Sequence, residues 1–275
     1  MTKILLTGSK GFIGQNLKIE LIKQGFDVLE INEDIFLSKG WKVDLLLLLI
    51  RNKPEVIFHV GACSDTLEKD VNYMMTLNFE FTKILVDWSL QNDSKLIYSS
   101  SAASYGENNL YPSNLYGWSK YVAEQYVISN NGIGLRYFNV YGPKEEHKGK
   151  MASVAYQSYV KNMIGEECKL FPKKPTRDFV YVKDIVSANL YAFLNYDKLN
   201  RSYYDVGSGE SRSFEDILNI LGIPYTYYEE KMIPEGYQFF TCSDKNKWMT
   251  GWEPEYNLEK GLYDYEGYLK LLINK

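Results

Sequence analysis

The chain has 275 residues, enough for one large domain or for one core with a smaller lobe. Apolar residues make up 45% and charged residues 24%, a mixture typical of globular proteins. The net charge of -4 argues against a nucleic-acid-binding protein, which usually presents a basic face.

The cysteines and the apolar runs narrow the class further. Cys63, Cys168 and Cys242 stand far apart without a C-x-x-C pair, and the chain has two histidines, so we expect no metal site. The cysteine pattern predicts a cytoplasmic protein, and the opening strand pattern predicts no secretory signal. The longest apolar run, 45–50, is too short to cross a bilayer, so we expect no membrane partner. We expect this run in a helix buried on most of its faces.

Strand and helix patterns alternate regularly through the first half of the chain. Short apolar runs predict strands at 3–7, 27–31, 56–60, 95–100 and 134–142. Helical patterns predict helices that end near 25 and that cover about 43–52, 69–92 and 115–130. This alternation predicts an α/β fold with a doubly wound parallel sheet of the Rossmann type.

The second half alternates less regularly. It predicts helices at 151–164, 183–196, 213–221 and 257–273 and strands near 169–171, 178–182 and 203–208. We expect residues 1–142, completed by 183–208, to form a dinucleotide-binding domain. Residues 143–182 and 209–275 would form a smaller, mixed α/β substrate-binding lobe.

The segment "TGSKGFIG" places three glycines, Gly8, Gly11 and Gly14, in the turn from the first strand into the first helix. The first allows a tight turn, the second lets a pyrophosphate approach the backbone, and the third lets the helix pack on the strand. The helix N-terminus supplies N–H groups and a positive dipole end. The sequence therefore predicts a dinucleotide site here.

The end of the second strand leaves the choice between NAD and NADP open. The strand pattern ends at Asn32, which tolerates a ribose phosphate, whereas Glu33 and Asp34 would repel one. Lys39 and Lys42 are the nearest cations that follow in the sequence.

Tyr116 and Lys120 are four residues apart, and so lie on one face of a predicted helix. A neighbouring ammonium stabilises a phenolate, so Tyr116 can exchange a proton with a carbinol while a hydride moves. Upstream, Ser100 and Ser101 follow the fourth strand at the carboxyl edge of the sheet, where ligands bind in such folds.

This order of motifs resembles the extended short-chain dehydrogenase/reductase superfamily, which includes nucleotide-sugar epimerases and dehydratases. The resemblance implies that Ser101 is the catalytic serine, Tyr116 the acid/base and Lys120 the lysine that anchors the cofactor. The 4,6-dehydratases carry an acidic pair after the serine, whereas Ala102 and Ala103 stand here, which argues against dehydration.

Several segments narrow the resemblance to the ADP-L-glycero-D-manno-heptose 6-epimerase family, and they lie throughout the chain. They are "GACSDT", "YMMTLN", "RYFNVYGPKEEHKGKMASVAY", "RDFVYV" and "GYQFFTCSD". In that family the lysine after the histidine of the H-K-G segment is a second catalytic base, which here is Lys148. The ionisable loop at 141–156 would thus be part of the active site, with His147 as a positioning or incidental residue.

The resemblance implies hydride transfer from C6 of the heptose, a 6-keto intermediate and hydride return to its other face, with Tyr116 and Lys148 as the two acid/base groups. Besides the three glycines, Tyr116 and Lys120, it assigns to the cofactor Phe12, Ile13, Asn32, Gly61, Ala62, Cys63, Ser64, Asp65, Asn78 and Val140. It assigns to the nucleotide sugar Asn139, Lys148, Lys150, Gln157, Phe171, Arg177 and Tyr237. The expected cofactor is NADP, with NAD as a close alternative, and we expect a homo-oligomer.

Three departures from the family pattern leave the sugar and the nucleotide open. The region between the second and third strands is shorter, and it lacks a lysine expected near a ribose phosphate. Gln157 replaces a histidine and Lys150 a serine, and the loop after Phe171 is shorter. The alternatives are an epimerase or reductase of another nucleotide sugar, or a non-catalytic protein that senses a dinucleotide.

Overall fold

The computed structural model describes residues 2–106, 111–234 and 237–273 of the protein. The chain divides into two compact units. The first unit comprises the residues up to Tyr137 together with Val186–Asp205. The second comprises Phe138–Ile185 together with the residues from Val206 onward, so each unit combines two separate stretches of the chain.

The regular elements agree closely with the predicted ones. The strands are β1 (Lys3–Thr7), β2 (Asp27–Ile31), β3 (Val56–His59), β4 (Lys95–Ser101), β5 (Ile133–Tyr137), β6 (Asn139–Tyr141), β7 (Cys168–Leu170), β8 (Thr176–Tyr181), β9 (Ser202–Val206), β10 (Ser211–Ser213) and β11 (Tyr225–Tyr227). The α-helices are α1 (Phe12–Lys23), α2 (Trp41–Asn52), α3 (Val71–Met75), α4 (Phe81–Asn92), α5 (Leu115–Ser129), α6 (Val154–Met163), α7 (Val182–Leu194), α8 (Tyr196–Leu199), α9 (Phe214–Ile220) and α10 (Leu258–Ile273).

A six-stranded sheet with the order β2-β1-β3-β4-β5-β9 is the centre of the first unit as described. The pairs from β2 through β5 are parallel. From β1 the chain proceeds to β2 on one side and then to β3 on the other, which makes a topological switch point beside β1. The predicted doubly wound α/β fold is confirmed.

The two strands at the middle of this sheet, β1 and β3, are apolar along most of their length, as expected of strands covered on both faces. Ile4, Leu5 and Leu6 of β1 are fully buried, as are Ile57 and Phe58 of β3. This burial explains why the sequence shows a continuous apolar run at each of these two strands and not an alternating pattern.

The prediction for the apolar run at 45–50 was wrong in one respect. The run lies in α2 as expected, but only Leu45 and Leu49 are buried, where they pack into the core beneath the helix. Leu46, Leu47 and Ile50 are 42%, 55% and 55% exposed. Residues three and four apart share one face of a helix, so α2 buries one stripe, with Leu48 partly buried beside it, and presents Leu46, Leu47 and Ile50 outward.

The predicted long helix at 69–92 is confirmed, but it is interrupted by a turn of π-helix. Between α3 and α4, Thr76–Glu80 form this wider turn, and the buried Asn78 lies within it. Such turns are rare and occur frequently at functional sites.

The second unit begins inside the segment that was predicted as one strand at 134–142. The segment is divided at Phe138: β5 joins the six-stranded sheet, whereas β6 joins a three-stranded sheet with the order β10-β8-β6. A further pair of strands, β7 and β11, is parallel. Buried side chains of α10 include Leu262, Tyr265 and Leu269.

Two kinds of feature are absent from the residues that the structure describes. No helix is long and apolar enough to cross a membrane. No group of three or more His, Cys, Asp or Glu side chains is arranged to hold a metal ion.

Candidate active site

The glycine turn after β1 requires the absence of side chains at two positions. Gly8 has a φ of 68°, and a Cβ atom there would lie 2.5 Å from the Cα atom of Gly61. A Cβ atom on Gly14 would lie 2.0 Å from the carbonyl oxygen of Gly8. Gly11 precedes the first turn of α1, which begins at the buried Phe12. The turn thus keeps bare backbone at the N-terminus of a helix, the arrangement that binds a pyrophosphate.

Asn32, at the end of β2, is bound to this turn. Its Oδ1 atom accepts hydrogen bonds from the Ser9 hydroxyl at 3.1 Å and from the Lys10 amide at 3.0 Å. The Lys10 ammonium pairs with Asp34 at 2.5 Å, and Lys42 pairs with Glu80. Lys10, which sequence reasoning missed, is therefore a cation beside Asn32 whose charge an aspartate already balances.

The loop after β3 is fixed by the π turn. Asn78 accepts a hydrogen bond from the Cys63 amide at 2.8 Å and donates one to the Cys63 carbonyl at 3.0 Å. It also donates to the Ser119 hydroxyl at 2.8 Å, which in turn donates to the carbonyl of Tyr116. Asn78 therefore connects this loop to the helix that carries Tyr116. Of the other loop positions, Gly61 is half-buried, and Ala62, Ser64 and Asp65 are exposed.

His59 sits at the centre of a buried chain of hydrogen bonds behind the loop. The hydroxyl of Thr82 donates to the Asn78 carbonyl, so it accepts from His59 Nε2 at 2.8 Å. His59 Nδ1 therefore accepts from Thr7, whose hydroxyl oxygen receives the Gly61 amide. Burial lowers the pKa of His59 to about 3, so the ring is neutral and acts as a structural link.

Ser101 and Tyr116 are brought together as the sequence predicted. Ser101 ends β4, and its hydroxyl accepts a hydrogen bond from the Ala103 amide at 3.1 Å. Tyr116 lies in the first turn of α5, where the Asn114 side chain caps the helix. Burial raises the pKa of the Tyr116 phenol, and a hydrogen bond with Ser101 partly opposes this shift.

Lys120 lies one turn further along α5 and is only 2% exposed. Its ammonium stands 4.3 Å from the centre of the Tyr98 ring, and none of the described residues accepts a hydrogen bond from it. Burial lowers the pKa of Lys120 to about 7, and the Glu124 carboxylate partly opposes this shift. Three N–H donors are thus available inside the unit.

These features fit a nicotinamide dinucleotide. The glycines let the turn pack tightly against the loop after β3 and the start of α1, and this tight turn at a helix N-terminus presents backbone N–H groups to a diphosphate. The donors of Lys120 suit the hydroxyl groups of a ribose, which are uncharged acceptors. Both requirements are met by residues of the first unit.

A buried ion pair next to Lys120 was not predicted. Glu124 accepts two hydrogen bonds from Arg136, at 2.8 and 2.6 Å, and the two side chains are 0% and 4% exposed. The guanidinium is stacked between the rings of Tyr105 and Tyr203, at 4.3 and 3.7 Å from their centres. The spacing of Tyr116, Lys120 and Glu124, each four residues apart, was the available signal, because it places all three on one helical face.

The charged loop of the second unit is folded around Glu145 rather than extended into solvent. Glu145 is fully buried, whereas His147 and Lys150 are exposed and Lys148 is half-buried. Burial lowers the pKa of Lys148, and the negative charge of Glu145 opposes this shift. Lys148 thus loses its proton more readily than an exposed lysine does, and a deprotonated lysine can accept a proton.

Gln157 of α6 holds the far end of the same loop. Its side-chain amide donates hydrogen bonds to the carbonyls of Lys150 at 3.2 Å and Ala152 at 2.6 Å. At the near end, β6 pairs with β8, and it contains the exposed Asn139 and the half-buried Val140.

Arg177 lies among aromatic side chains in the second unit. It is 8% exposed, and its guanidinium carbon lies 5.3 Å from the ring centre of Tyr237 and 5.6 Å from that of Phe214. Tyr237 also contacts Phe171, with ring centres 5.1 Å apart. Burial lowers the pKa of Arg177, and Tyr237 opposes the shift. The structure therefore brings together three of the residues that the sequence assigned to the substrate.

The doubly wound sheet and its glycine turn define an enzyme class that works with a bound dinucleotide. In agreement, the sequence profile of the NAD dependent epimerase/dehydratase family matches residues 4–207. The chain belongs to this family, whose members use a nicotinamide dinucleotide.

The most informative relatives are nucleotide-sugar epimerases. ADP-L-glycero-D-manno-heptose-6-epimerase of Brachyspira hyodysenteriae is 34% identical over 288 residues, covering 89% of this chain and 90% of that protein. The crystal structure of the Helicobacter pylori ADP-L-glycero-D-manno-heptose-6-epimerase matches with a TM-score of 0.84 and 29% identity, covering 98% of this chain and 96% of that one. UDP-glucose 4-epimerase of Thermotoga maritima, solved with UDP-glucose, matches with a TM-score of 0.86 and 26% identity, covering 99% and 100%. The resemblance seen in the sequence is confirmed.

Proposed function

We propose that the protein inverts C6 of an ADP-glycero-manno-heptose by an internal oxidation and reduction. The observation that carries this proposal is the position of Ser101, at the end of β4, beside the Tyr116 phenol, with the buried Lys120 one helical turn away. The similarity to two ADP-heptose epimerases supports the substrate class. Such an enzyme would supply a precursor of lipopolysaccharide in the cytoplasm.

When bound, the nicotinamide ring supplies an acceptor and donor of hydride. Tyr116 would exchange the proton of the C6 hydroxyl, and Ser101 would hydrogen-bond to the same oxygen. Lys120 would hold the ribose, and its positive charge would offset the effect of burial on the pKa of Tyr116. Inversion then requires the 6-keto group to present its other face, which moves its oxygen away from Tyr116.

Lys148 would serve this second orientation. A single fixed base cannot reach both positions of the ketone oxygen, and burial already lowers the pKa of Lys148. Arg177 would bind the diphosphate as a planar, bidentate donor, with Tyr237 and Phe171 beside it. Asn139, Lys150 and Gln157 would complete the nucleotide-sugar site.

The cofactor positions assigned in the first unit would follow the family pattern. The glycine turn and Phe12, Ile13 and Asn32 would bind one half of the dinucleotide. The loop at 61–65, Asn78 and Val140 would line the rest. NADP is the proposed form, on the resemblance to the heptose epimerases. NAD is the close alternative, because the charge of Lys10, the cation beside Asn32, is already paired with Asp34.

A second candidate is an epimerase of another nucleotide sugar. It is favoured by the match to UDP-glucose 4-epimerase, whose TM-score is as high as that of the heptose enzyme. The substitutions at Lys150 and Gln157 lie among the residues proposed to bind the sugar. The two candidates differ in substrate and share their hydride chemistry.

The test is to incubate the purified protein with candidate nucleotide sugars without added cofactor and to identify stereoisomers by NMR. Conversion of an ADP-heptose at C6 is expected, because an epimerase recycles the cofactor with which it purifies. Conversion of a UDP-hexose alone would favour the second candidate. Dependence on stoichiometric NADPH would indicate a reductase.

The same reaction in heavy water tests the route. The hydrogen at C6 should be retained, so the product should carry no deuterium at that carbon. Full labelling at C6 would contradict hydride transfer, since removal of a proton next to a carbonyl exchanges it with solvent.

A further inference from the structure

Glu145 is a buried carboxylate in the middle of a loop rich in lysine, and the proposed reaction gives it no role. The sequence from 143 to 151 contains three lysines, and the loop would be expected to be solvated throughout. Instead Glu145 is 0% exposed, while the neighbouring Glu146 remains half-buried. A buried charge needs strong compensation, so its contacts indicate what it does.

Four donors converge on the Glu145 carboxylate. The Gly142 amide donates at 3.2 Å, the Ser153 amide at 2.5 Å and the Ser153 hydroxyl at 2.7 Å. The hydroxyl of Tyr265, from α10, donates at 2.9 Å. One side chain thus joins the beginning of the loop, its end and a helix distant in sequence.

The backbone of Glu145 is bound to Lys148 directly. The Glu145 carbonyl accepts a hydrogen bond from the Lys148 amide at 3.0 Å, which closes a turn over these residues. Directly after Lys148 the chain reverses at Gly149, whose φ is 52°. The position of Lys148 is therefore set by a turn whose base is the anchored Glu145.

The donors on Glu145 are held in place in turn. Ser153 is the N-cap of α6, where its hydroxyl oxygen accepts from the Tyr156 amide. Burial and the charge of Glu145 raise the pKa of Tyr265, so its hydroxyl stays protonated and remains a donor. The carboxylate thus has rigid partners on a strand end and two helices.

We propose that Glu145 is the positioning residue for Lys148, and that its buried carboxylate folds the loop into the one conformation in which this lysine serves the substrate. This inference rests on the proposed function, in which Lys148 is the second base. Glu145 itself would not touch the substrate, because its carboxylate is used by the four donors. Hydrogen bonds to a charged group are the strong ones, which suits a loop whose own backbone forms only short 3-10 turns, kinked at Gly149.

The test compares Glu145→Gln with Glu146→Gln, a matched change at the next position. A glutamine at 145 turns one carboxylate oxygen into an N–H donor that faces other donors, so part of the cluster is lost. The loop should then open, and its lysines should become sites for trypsin in the native protein. We expect cleavage after 144, 148 or 150 to be faster by at least about tenfold in Glu145→Gln and by much less in Glu146→Gln, which alters a single contact of the loop, that with Tyr268.

A double-mutant cycle separates positioning of Lys148 from general stability. Epimerisation should fall in Glu145→Gln and in Lys148→Ala, and the double variant should be no slower than Lys148→Ala. The first half of the reaction, oxidation of the substrate with Tyr116 as the base, should persist in both single variants and in the double variant. It is measured as a rise in the absorbance of reduced nicotinamide. Independent, additive losses in the double variant would overturn the proposal, as would an unchanged rate in Glu145→Gln.

A second variant and a readout that does not require activity cover the cases in which Glu145→Gln does not fold or the protein is inactive. If Glu145→Gln does not fold, Tyr265→Phe removes one donor and leaves the carboxylate, and the same trypsin and rate effects are expected at smaller size. A loop that resists trypsin equally in wild type and Tyr265→Phe would then overturn the proposal. If wild-type protein converts no nucleotide sugar, the proposed function fails, whereas the trypsin comparison still decides whether Glu145 holds the loop.

Discussion

Two lysines of this protein lie in opposite structural settings and show the same electrostatic pattern. Lys120 on α5 and Lys148 in the charged loop each have a pKa that burial lowers. Each also has a buried glutamate nearby whose charge opposes the shift, Glu124 for the first and Glu145 for the second.

The two glutamates differ in how their own charge is balanced. In α5 the backbone is satisfied by the helix, so Glu124 is free to pair with a guanidinium, that of Arg136. In the loop the backbone forms only short 3-10 turns over Glu146–Met151, kinked at Gly149, and Glu145 accepts from the amides of Gly142 and Ser153. A buried carboxylate can thus form an ion pair between a helix and a strand, or hold together a segment of short turns.

The largest effect is expected from removing the proposed bases. Tyr116→Phe and Lys148→Ala should each lower the turnover of epimerisation by roughly 10²–10⁴-fold, the usual contribution of an acid/base group. Tyr121→Phe, on the same helix as Tyr116, should change it little. Turnover followed by NMR checks this. Near-normal epimerisation by one of the two variants would show that the residue it lacks is not needed as a base.

The ion pair between Glu124 of α5 and Arg136 of β5 should respond strongly to the loss of one partner. Arg136→Met leaves the buried Glu124 uncompensated and should lower the free energy of unfolding by about 3–5 kcal/mol. The double variant Glu124→Gln with Arg136→Met should recover much of this loss.

Lys83→Met is the control for that measurement, because it breaks an exposed ion pair, that of Lys83 with Asp87 within α4. It should cost only ~0–1 kcal/mol. Urea unfolding measures all of these variants, and equal losses in Arg136→Met and Lys83→Met would contradict the importance of burial.

The lowered pKa of Lys120 predicts a dependence of stability on pH. The folded pKa of about 7 lies below the ordinary 10.5, so between these values the unfolded chain binds more protons than the native protein. Stability relative to Lys120→Met should therefore rise with pH across this window, by up to ~1.4 kcal/mol per pH unit.

Lys148→Met should show a trend of the same sign, since burial lowers the pKa of Lys148 as well. Parallel unfolding curves of wild type and Lys120→Met at pH 7 and pH 10 would contradict the lowered pKa.

The smallest effect is expected at His147, which is exposed although it precedes Lys148 directly. His147→Ala should change the free energy of unfolding by less than about 0.5 kcal/mol, as substitutions at exposed positions usually do. Its turnover should stay close to that of wild type. A loss as large as that of Lys148→Ala would make His147 part of the catalytic group and would alter the comparison of the two lysines.

Much of the fold was readable in the sequence because the signals are local. The apolar runs at β1 and β3 and the glycines of "TGSKGFIG" report burial and backbone geometry over a few residues. The spacing of Tyr116 and Lys120 fixes their common face once a helix is present. The segment at 134–142 was predicted as one strand but forms two, β5 and β6, in different sheets. An apolar pattern indicates that a segment is buried, but it does not indicate which sheet the segment joins.

The sequence by itself determined the doubly wound sheet, the glycine turn and the family, since each follows from residue order within short segments. Tertiary structure decided which stripe of α2 is buried, which partner Glu124 takes, and why Glu145 lies inside a charged loop. Arg136 and Tyr265 come from other elements, and Tyr265 is distant in sequence from Glu145. Such pairs exist only when the chain has folded, because burial makes an unpaired charge too costly and so selects the partners that compensate it.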